Sequence, residues 1–253
     1  MMRAAALALC AVLAGPAGAQ CRQALAIGLD VSASVDRREF ALQAGGLALA
    51  LEDPEIRKAM ISAAERPFML SVFDWSGSQD QRLVIPWTAI TGPGVLDDIA
   101  LRLRAMPGPR GSRMTAVGAA MAFGDRLLAE QGDCERLTLD LAGDGMSNAG
   151  LPPRKVILGM SGKTITINAL VIGAPGASGA AAMDPSLADL SGWYAAQVIR
   201  GPGAFVEEAH GFDGFANAMR RKILREISGL FASNAPTDLI PAGDTPADKP
   251  TSG

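Results

Sequence analysis

The chain has 253 residues, 49% of them hydrophobic, and a formal net charge of −3. That length suits one α/β domain with room for insertions, and the apolar fraction supports a substantial core, which excludes a wholly disordered chain. With no basic block along it, the chain lacks the electrostatic footprint of a nucleic-acid binder.

Arg3, an apolar stretch over residues 4–13 and Ala17-Gly18-Ala19 together read as a signal peptide. The stretch is too short to span a bilayer comfortably. Export with removal of residues 1–19 is expected, leaving a periplasmic or secreted protein with no membrane span after cleavage. Cys10 leaves with that segment, so Cys21 and Cys134 remain.

Residues 24–29 form an apolar run that reads as a buried strand. It runs into Asp30-Val31-Ser32-Ala33-Ser34. A carboxylate and two hydroxyls at alternating positions crowd oxygen onto one edge of a sheet. Hard cations such as Mg²⁺ and Ca²⁺ take oxygen ligands. The competing use of these side chains is capping: Ser34 or Asp36 can start the next helix, where Phe40, Ala44, Leu47, Ala48 and Leu51 recur at helical spacing. Glu52-Asp53-Pro54 closes or bends that helix.

Residues 68–75 read as a strand, 76–80 as a turn and 82–87 as the hairpin partner, with Pro86 marking an edge. Asp74, Trp75 and Trp87 fall on this hairpin, as packing plus one solvated charge or as an aromatic contact surface. A helix over 95–106 carries Leu96, Ile99, Leu103 and Met106 on one side. A Pro/Gly loop over 107–111 leads to Thr115, at the start of a helix over 116–131. A strand over 136–142 runs into Gly143-Asp144-Gly145, and the following loop holds Ser147 and Asn148.

A short helix over 152–160 and a β-branched strand over 164–172 come next. Residues 174–183 read as an exposed Gly/Ala/Pro-rich loop, 187–198 as a helix and 204–208 as a short last strand. An amphipathic helix over 212–227, with Phe215, Met219, Ile223 and Ile227 aligned, closes the domain. From residue 233 to 253 no apolar period is left, and a disordered tail is expected. One domain over residues 20–232 follows.

Strands alternating with helices imply a doubly wound, mainly parallel sheet with helices on both faces. Sites in such sheets lie beyond the carboxyl ends of the strands, where strand order reverses. The early Asp30-x-Ser32-x-Ser34, the mid-chain Thr115 and the later strand ending in Asp144-Gly145 together resemble the von Willebrand factor A-type (integrin I-type) domain. The resemblance covers about residues 23–229. It implies a six-stranded sheet with an antiparallel edge strand and a metal-ion-dependent adhesion site. Asp30, Ser32, Ser34, Thr115 and Asp144 then fall at the metal positions.

The resemblance also implies roles. Ser32, Ser34 and Thr115 coordinate directly, Asp30 and Asp144 directly or through water. An acidic side chain of a partner protein fills an open position. Few direct carboxylates leave the ion electrophilic enough to take that anion. Mg²⁺ is the ion expected, with Mn²⁺ or Ca²⁺ as alternatives. Ser147 and Asn148 either support the metal from behind or shape the loop. The family topology places the two site-bearing strands side by side. Cys21 lies nine residues before Asp30 and Cys134 ten before Asp144, so a disulfide between them is expected.

A narrower likeness rests on Leu29-Asp30-Val31-Ser32-Ala33-Ser34-Val35-Asp36, Phe73-Asp74-Trp75-Ser76-Gly77 and Pro86-Trp87-Thr88. Gly143-Asp144-Gly145-Met146-Ser147-Asn148, Ile167-Asn168-Ala169-Leu170 and Gly201-Pro202-Gly203-Ala204-Phe205-Val206 extend it. These segments are similar to the bacterial domain of unknown function 1194 family, which implies a von Willebrand A-like fold and no assigned activity.

Catalysis has little support. His210 is the sole histidine, set in a Glu-rich loop. No G-x-S-x-G elbow or phosphate-cradling Gly-Lys-Ser/Thr occurs, and His and Cys are too few for a zinc site of their type. The expected function is an exported, divalent-cation-dependent protein-binding module for adhesion or assembly. The alternatives are a metal-assisted hydrolase using the same cation as Lewis acid, and a structural module with a vestigial metal site.

Overall fold

The computed structural model describes residues 21–62, 65–160, 164–173 and 186–232. The expected signal peptide, the 174–183 loop and the 233–253 tail lie outside the described residues.

The first strand, β1 (Cys21–Asp30), is buried along its whole length. After a short loop comes α1 (Arg37–Glu52), and Asp36 rather than Ser34 caps it. The Asp36 carboxylate accepts from the Glu39 N–H at 2.8 Å, and the Glu39 carboxylate accepts from the Asp36 N–H at 2.9 Å. Such a reciprocal box contributes about 1 kcal/mol. Pro54 bends the chain without ending helical structure: Asp53 closes α1 and caps α2 (Pro54–Ile61). That second helix is an addition to the elements expected from the sequence. Pro at its first position lacks only an N–H that would be unpaired anyway.

The hairpin is β2 (Phe68–Trp75) and β3 (Gln81–Ile90), paired antiparallel. Then follow α3 (Pro93–Arg104), α4 (Val117–Ala129), β4 (Cys134–Gly143), α5 (Pro153–Gly159) and β5 (Ile165–Gly173). The described chain ends with α6 (Leu187–Gln197), β6 (Val206–His210), a 3-10 turn over Phe212–Gly214 and α7 (Phe215–Ala232).

The six strands lie in the order β3-β2-β1-β4-β5-β6, all parallel except β3. β3 is an edge strand, which accommodates Pro86. The chain builds outward from β1 in one direction through β2 and β3, then returns to its other side for β4, β5 and β6. The reversal therefore falls between β1 and β4, where open α/β sheets place their sites.

Period-two alternation divides β1 between two cores. Leu25, Ile27 and Leu29 face the cluster formed with α1, α2, α3 and α7. Ala24 and Ala26 face the cluster formed with α4 and α6. Gly28 continues the small face for a steric reason: a Cβ there would lie 2.6 Å from Phe73 and 2.8 Å from Leu141. The larger side chains of the neighbouring strands fill that space instead.

Cys21 and Cys134 are directly opposed in the β1–β4 register and form a disulfide, with Cα atoms 4.5 Å apart. It ties the amino ends of the two strands whose carboxyl ends carry the site. Closing so long a loop contributes about 2–5 kcal/mol.

Of the hairpin side chains, the tryptophans pack as expected, while the aromatic contact surface and the solvated charge are corrected. Trp75 is fully buried, and Trp87 is half-buried with its indole N–H donating to the Leu127 carbonyl at 3.1 Å. They pack the sheet rather than form a contact surface. Asp74 is not a solvated charge: it is buried and ion-paired with Arg82 across the hairpin.

Candidate metal centre

The β1 and β4 ladders pair through Leu29 and Ala142, so Asp30 and the Gly143-Asp144 segment leave the sheet side by side. Asp30 is completely buried. Its Oδ1 accepts from the Ser32 N–H at 2.8 Å, and its backbone carbonyl accepts from the Gln43 amide at 2.9 Å. The Ser32 and Ser34 hydroxyls lie 3.1 Å apart, and the Ser34 hydroxyl donates to Asp144 Oδ1 at 2.9 Å. A continuous line of oxygens thus runs from Asp30 to Asp144.

Thr115 joins from a third segment, two residues before α4. The capping alternative fails here, because the residue capping α4 is Ala116 and no side chain serves the cap. The Thr115 hydroxyl sits 3.9 Å from where a Cβ on Gly145 would stand, beside Asp144. Asn148 clamps its backbone on both sides: Asn148 Oδ1 accepts from the Thr115 N–H at 2.8 Å, and the Asn148 N–H donates to the Thr115 carbonyl at 2.8 Å. Ser147 adds a 3.3 Å hydrogen bond to the same carbonyl. Ser147 and Asn148 therefore shape the loop, and the loop they shape is the one presenting Thr115.

Ser76 performs a related task from the hairpin side. Its hydroxyl accepts from the Ser112 N–H at 2.9 Å, and its carbonyl accepts from the Ala116 N–H at 2.7 Å. All five residues singled out from the sequence meet at the reversal point. Gln43, Ser76 and Tyr194 were missed. Gln43 had a signal, a polar residue among the apolar positions of α1. Tyr194, the sole tyrosine of the chain, is fully buried on α6, and its hydroxyl donates to the Gly145 carbonyl at 3.2 Å.

The electrostatics are those of a buried carboxylate held beside a half-exposed one. Burial, and then the charge of Asp144, push the Asp30 carboxyl up to about 8, against the opposing pull of the hydrogen bonds from Ser32. Burial and the same two acids hold the Tyr194 hydroxyl well above its ordinary value. Asp30 Oδ2 is buried and accepts no hydrogen bond among the described residues. An orphaned carboxylate oxygen next to a second carboxylate and three hydroxyls matches the oxygen-rich, carboxylate-poor surroundings that Mg²⁺ accepts. Asp30, Ser32, Ser34, Thr115 and Asp144 would hold a divalent cation there, which would supply a positive charge to offset the two acids. The chain's own residues hold and orient: Asn148 sets Thr115, Ser32 sets Asp30, and Ser34 links to Asp144.

His210 is remote in the topology. It ends β6, the outer strand on the β5 side, and is exposed there rather than in a loop. Among the described residues, no helix is long and apolar enough to cross a membrane.

The sequence profile described as "Protein of unknown function (DUF1194)" matches residues 20–231. No curated protein sequence matches the chain. Among solved structures, proximal thread matrix protein 1 from the mussel byssus superposes with a TM-score of 0.57 at 15% identity, over 81% of this chain and 47% of that one. A further structure of that mussel protein has zinc occupying its MIDAS motif. A von Willebrand factor type A protein from Catenulispora acidiphila gives 0.54 at 16% identity, over 82% of this chain and 43% of that one. The pilus adhesin SpaC from Lactobacillus rhamnosus GG gives 0.58 at 11% identity, over 84% and 30% respectively. At these identities the likeness establishes the von Willebrand A-like fold. The chain spans about half the length of the mussel protein.

Proposed function

The chain belongs to the family described as protein of unknown function DUF1194, and on that premise we propose that it is an exported protein-binding module whose grip depends on a divalent cation. Asp30, Ser32, Ser34, Thr115 and Asp144 hold the ion, Mg²⁺ first, with Mn²⁺ or Ca²⁺ as alternatives. A partner protein completes the ion's shell with an acidic side chain. Residues 1–19 direct export to the periplasm or beyond and are then removed.

The observation that carries this reading is the fate of the hydroxyls. Ser32, Ser34 and Thr115 had an ordinary use available, helix capping, and none of them is used so: Asp36 caps α1, and Ala116 occupies the cap of α4. Ser32 and Ser34 link instead toward Asp144, and Thr115 stands beside Gly145, all at the point where strand order reverses. The zinc-occupied motif of the mussel protein and the adhesin role of SpaC support the same reading and add Zn²⁺ to the ions worth testing.

A hydrolase built on the same ion would need a general base. The carboxylates at hand are those assigned to the ion, and His210 lies on the outer strand. Binding therefore fits the residues better than hydrolysis.

The test is capture of protein partners from the native envelope or medium on the immobilised mature protein. Capture in Mg²⁺ that disappears in EDTA and in Asp144→Ala, with an unchanged circular-dichroism spectrum, is expected. Capture that persists equally in EDTA would contradict the proposal.

A further inference from the structure

The rim around the candidate metal centre is cationic, although the chain as a whole carries a net charge of −3. Arg110 and Arg113 stand exposed on the loop that leads to Thr115. Neither has an ion-pair or side-chain hydrogen-bond partner among the described residues. The loop cannot drift away from the site. A Cβ on Gly111, between the two arginines, would lie 2.0 Å from the Val31 carbonyl and 2.8 Å from Ser76, so backbone packs directly on the residue after Asp30. Arg37, the first residue of α1, lies against the same loop, 3.9 Å from where a Cβ on Gly108 would stand. Beyond the Asp144 loop, Arg154 and Lys155 begin α5, exposed and likewise without side-chain partners among the described residues.

Acidic groups on this rim do not neutralise them. Asp36 is committed to the cap of α1, and Asp80 sits in the hairpin turn beside Ser112 without reaching an arginine. Apolar surface is interleaved with the cations: Met114 is 44% exposed and Leu151 is 64% exposed. Leu151 is held close, since its carbonyl would lie 2.1 Å from a Cβ on Gly118 in the first turn of α4.

We infer that the partner segment is an acidic peptide carrying at least two carboxylates, one completing the ion's shell and a second seated between Arg110 and Arg113, with an apolar side chain against Met114 and Leu151. The inference rests on the cation-dependent reading above and adds the specificity to it. One carboxylate on an ion is a recognition element that any exposed Asp or Glu can supply. A guanidinium fork adds directional bonds to a second carboxylate, and a uniformly cationic rim speeds encounter with acidic partners while rejecting basic ones. An isolated phosphate group would satisfy the arginines but leave Met114 and Leu151 in water, whereas an apolar side chain of a peptide covers them.

A random dodecapeptide library displayed on phage, panned on the mature full chain in Mg²⁺ and in EDTA, tests this. Wild type in Mg²⁺ is expected to enrich peptides with two carboxylates and an apolar residue. Arg110→Gln/Arg113→Gln is expected to retain Mg²⁺-dependent selection, to lose the demand for the second carboxylate, and to bind a selected two-carboxylate peptide roughly tenfold more weakly. Enrichment of the same single-carboxylate peptides by both proteins overturns the inference and leaves the metal-dependent reading standing. Enrichment identical in Mg²⁺ and EDTA removes the metal-dependent reading and the inference with it. Tighter Mg²⁺-dependent binding to phosphatidylglycerol vesicles than to any selected peptide assigns the rim to lipid and overturns the inference.

Discussion

Asn148 illustrates how one residue sets another. Its side chain accepts from the Thr115 N–H and its own N–H donates to the Thr115 carbonyl, both at 2.8 Å, so Thr115 is fixed by a residue 33 positions later in the chain. Groups that orient metal ligands typically account for 10–100-fold in affinity. Asn148→Ala should accordingly weaken Mg²⁺ binding about tenfold or more, read by isothermal titration calorimetry. Thermal stability in EDTA should change by only about 1 kcal/mol, the scale of the one side-chain hydrogen bond removed. Equal affinity in wild type and variant would show that Thr115 needs no such clamp. The pairing was invisible in sequence because both residues lie in loops, where neither helical nor strand periodicity places a side chain. Asp30, Ser32, Ser34 and Asp144 were visible because they follow two apolar strands, and Thr115 only through the family resemblance that those residues carry.

At the scale of elements, α7 is joined to the sheet by charge as well as by apolar packing. Lys222 and Glu226, one turn apart on α7, are buried with Asp140 of β4 and Asn168 of β5. Lys222 pairs with Asp140, and Glu226 accepts from Lys222 at 2.6 Å and from the Asn168 amide at 2.7 Å. Two carboxylates share one ammonium there. Burial, then the Asp140 charge, holds the Glu226 carboxyl well above its ordinary value, outweighing the pull of Lys222. Burial disfavours the Lys222 ammonium, yet Asp140 and Glu226 together outweigh it and raise its pKa. The folded protein therefore retains a proton on Glu226 at pH values where the unfolded chain releases it. Stability from this group is full below the ordinary carboxylate range and declines as pH rises above it. Glu226→Gln mimics the protonated form and lacks that decline. Urea unfolding at pH 5 and pH 8 should show wild type losing stability relative to the variant at the higher pH. A pH-independent difference would mean that Glu226 is ionised in the fold.

These same elements show what sequence patterning conveys and what it omits. The apolar stripe of α7 announced a closing helix, since Phe215, Met219, Ile223 and Ile227 all face one core. Lys222 and Glu226 carried no comparable signal, because their partners come from strands far away in the chain. Pro54 marked a stop or a bend, and the structure shows the bend, with Asp53 as the end of one helix and the cap of the next.

For the whole molecule, the alternation of strands and helices conveyed the doubly wound sheet, Pro86 its edge, and Asp30 and Asp144 the carboxyl ends of its two central strands. The pairing of Cys21 with Cys134 follows from that topology: strands adjacent at one end are adjacent at the other. Trp75 and Asp74 were harder, because alternation in β2 breaks down where both faces of the sheet are covered. We propose above all that the reversal point between β1 and β4 binds a divalent cation. The most direct test is thermal unfolding of the mature protein in EDTA and in millimolar Mg²⁺, Mn²⁺ or Ca²⁺, beside Asp30→Ala and Ser32→Ala. An ion that binds only the folded state at a hundredfold excess over its Kd adds about 2.7 kcal/mol. A higher midpoint with at least one of these ions, lost in both variants, is expected; identical midpoints with and without cation, or a rise that both variants retain, would rule the site out.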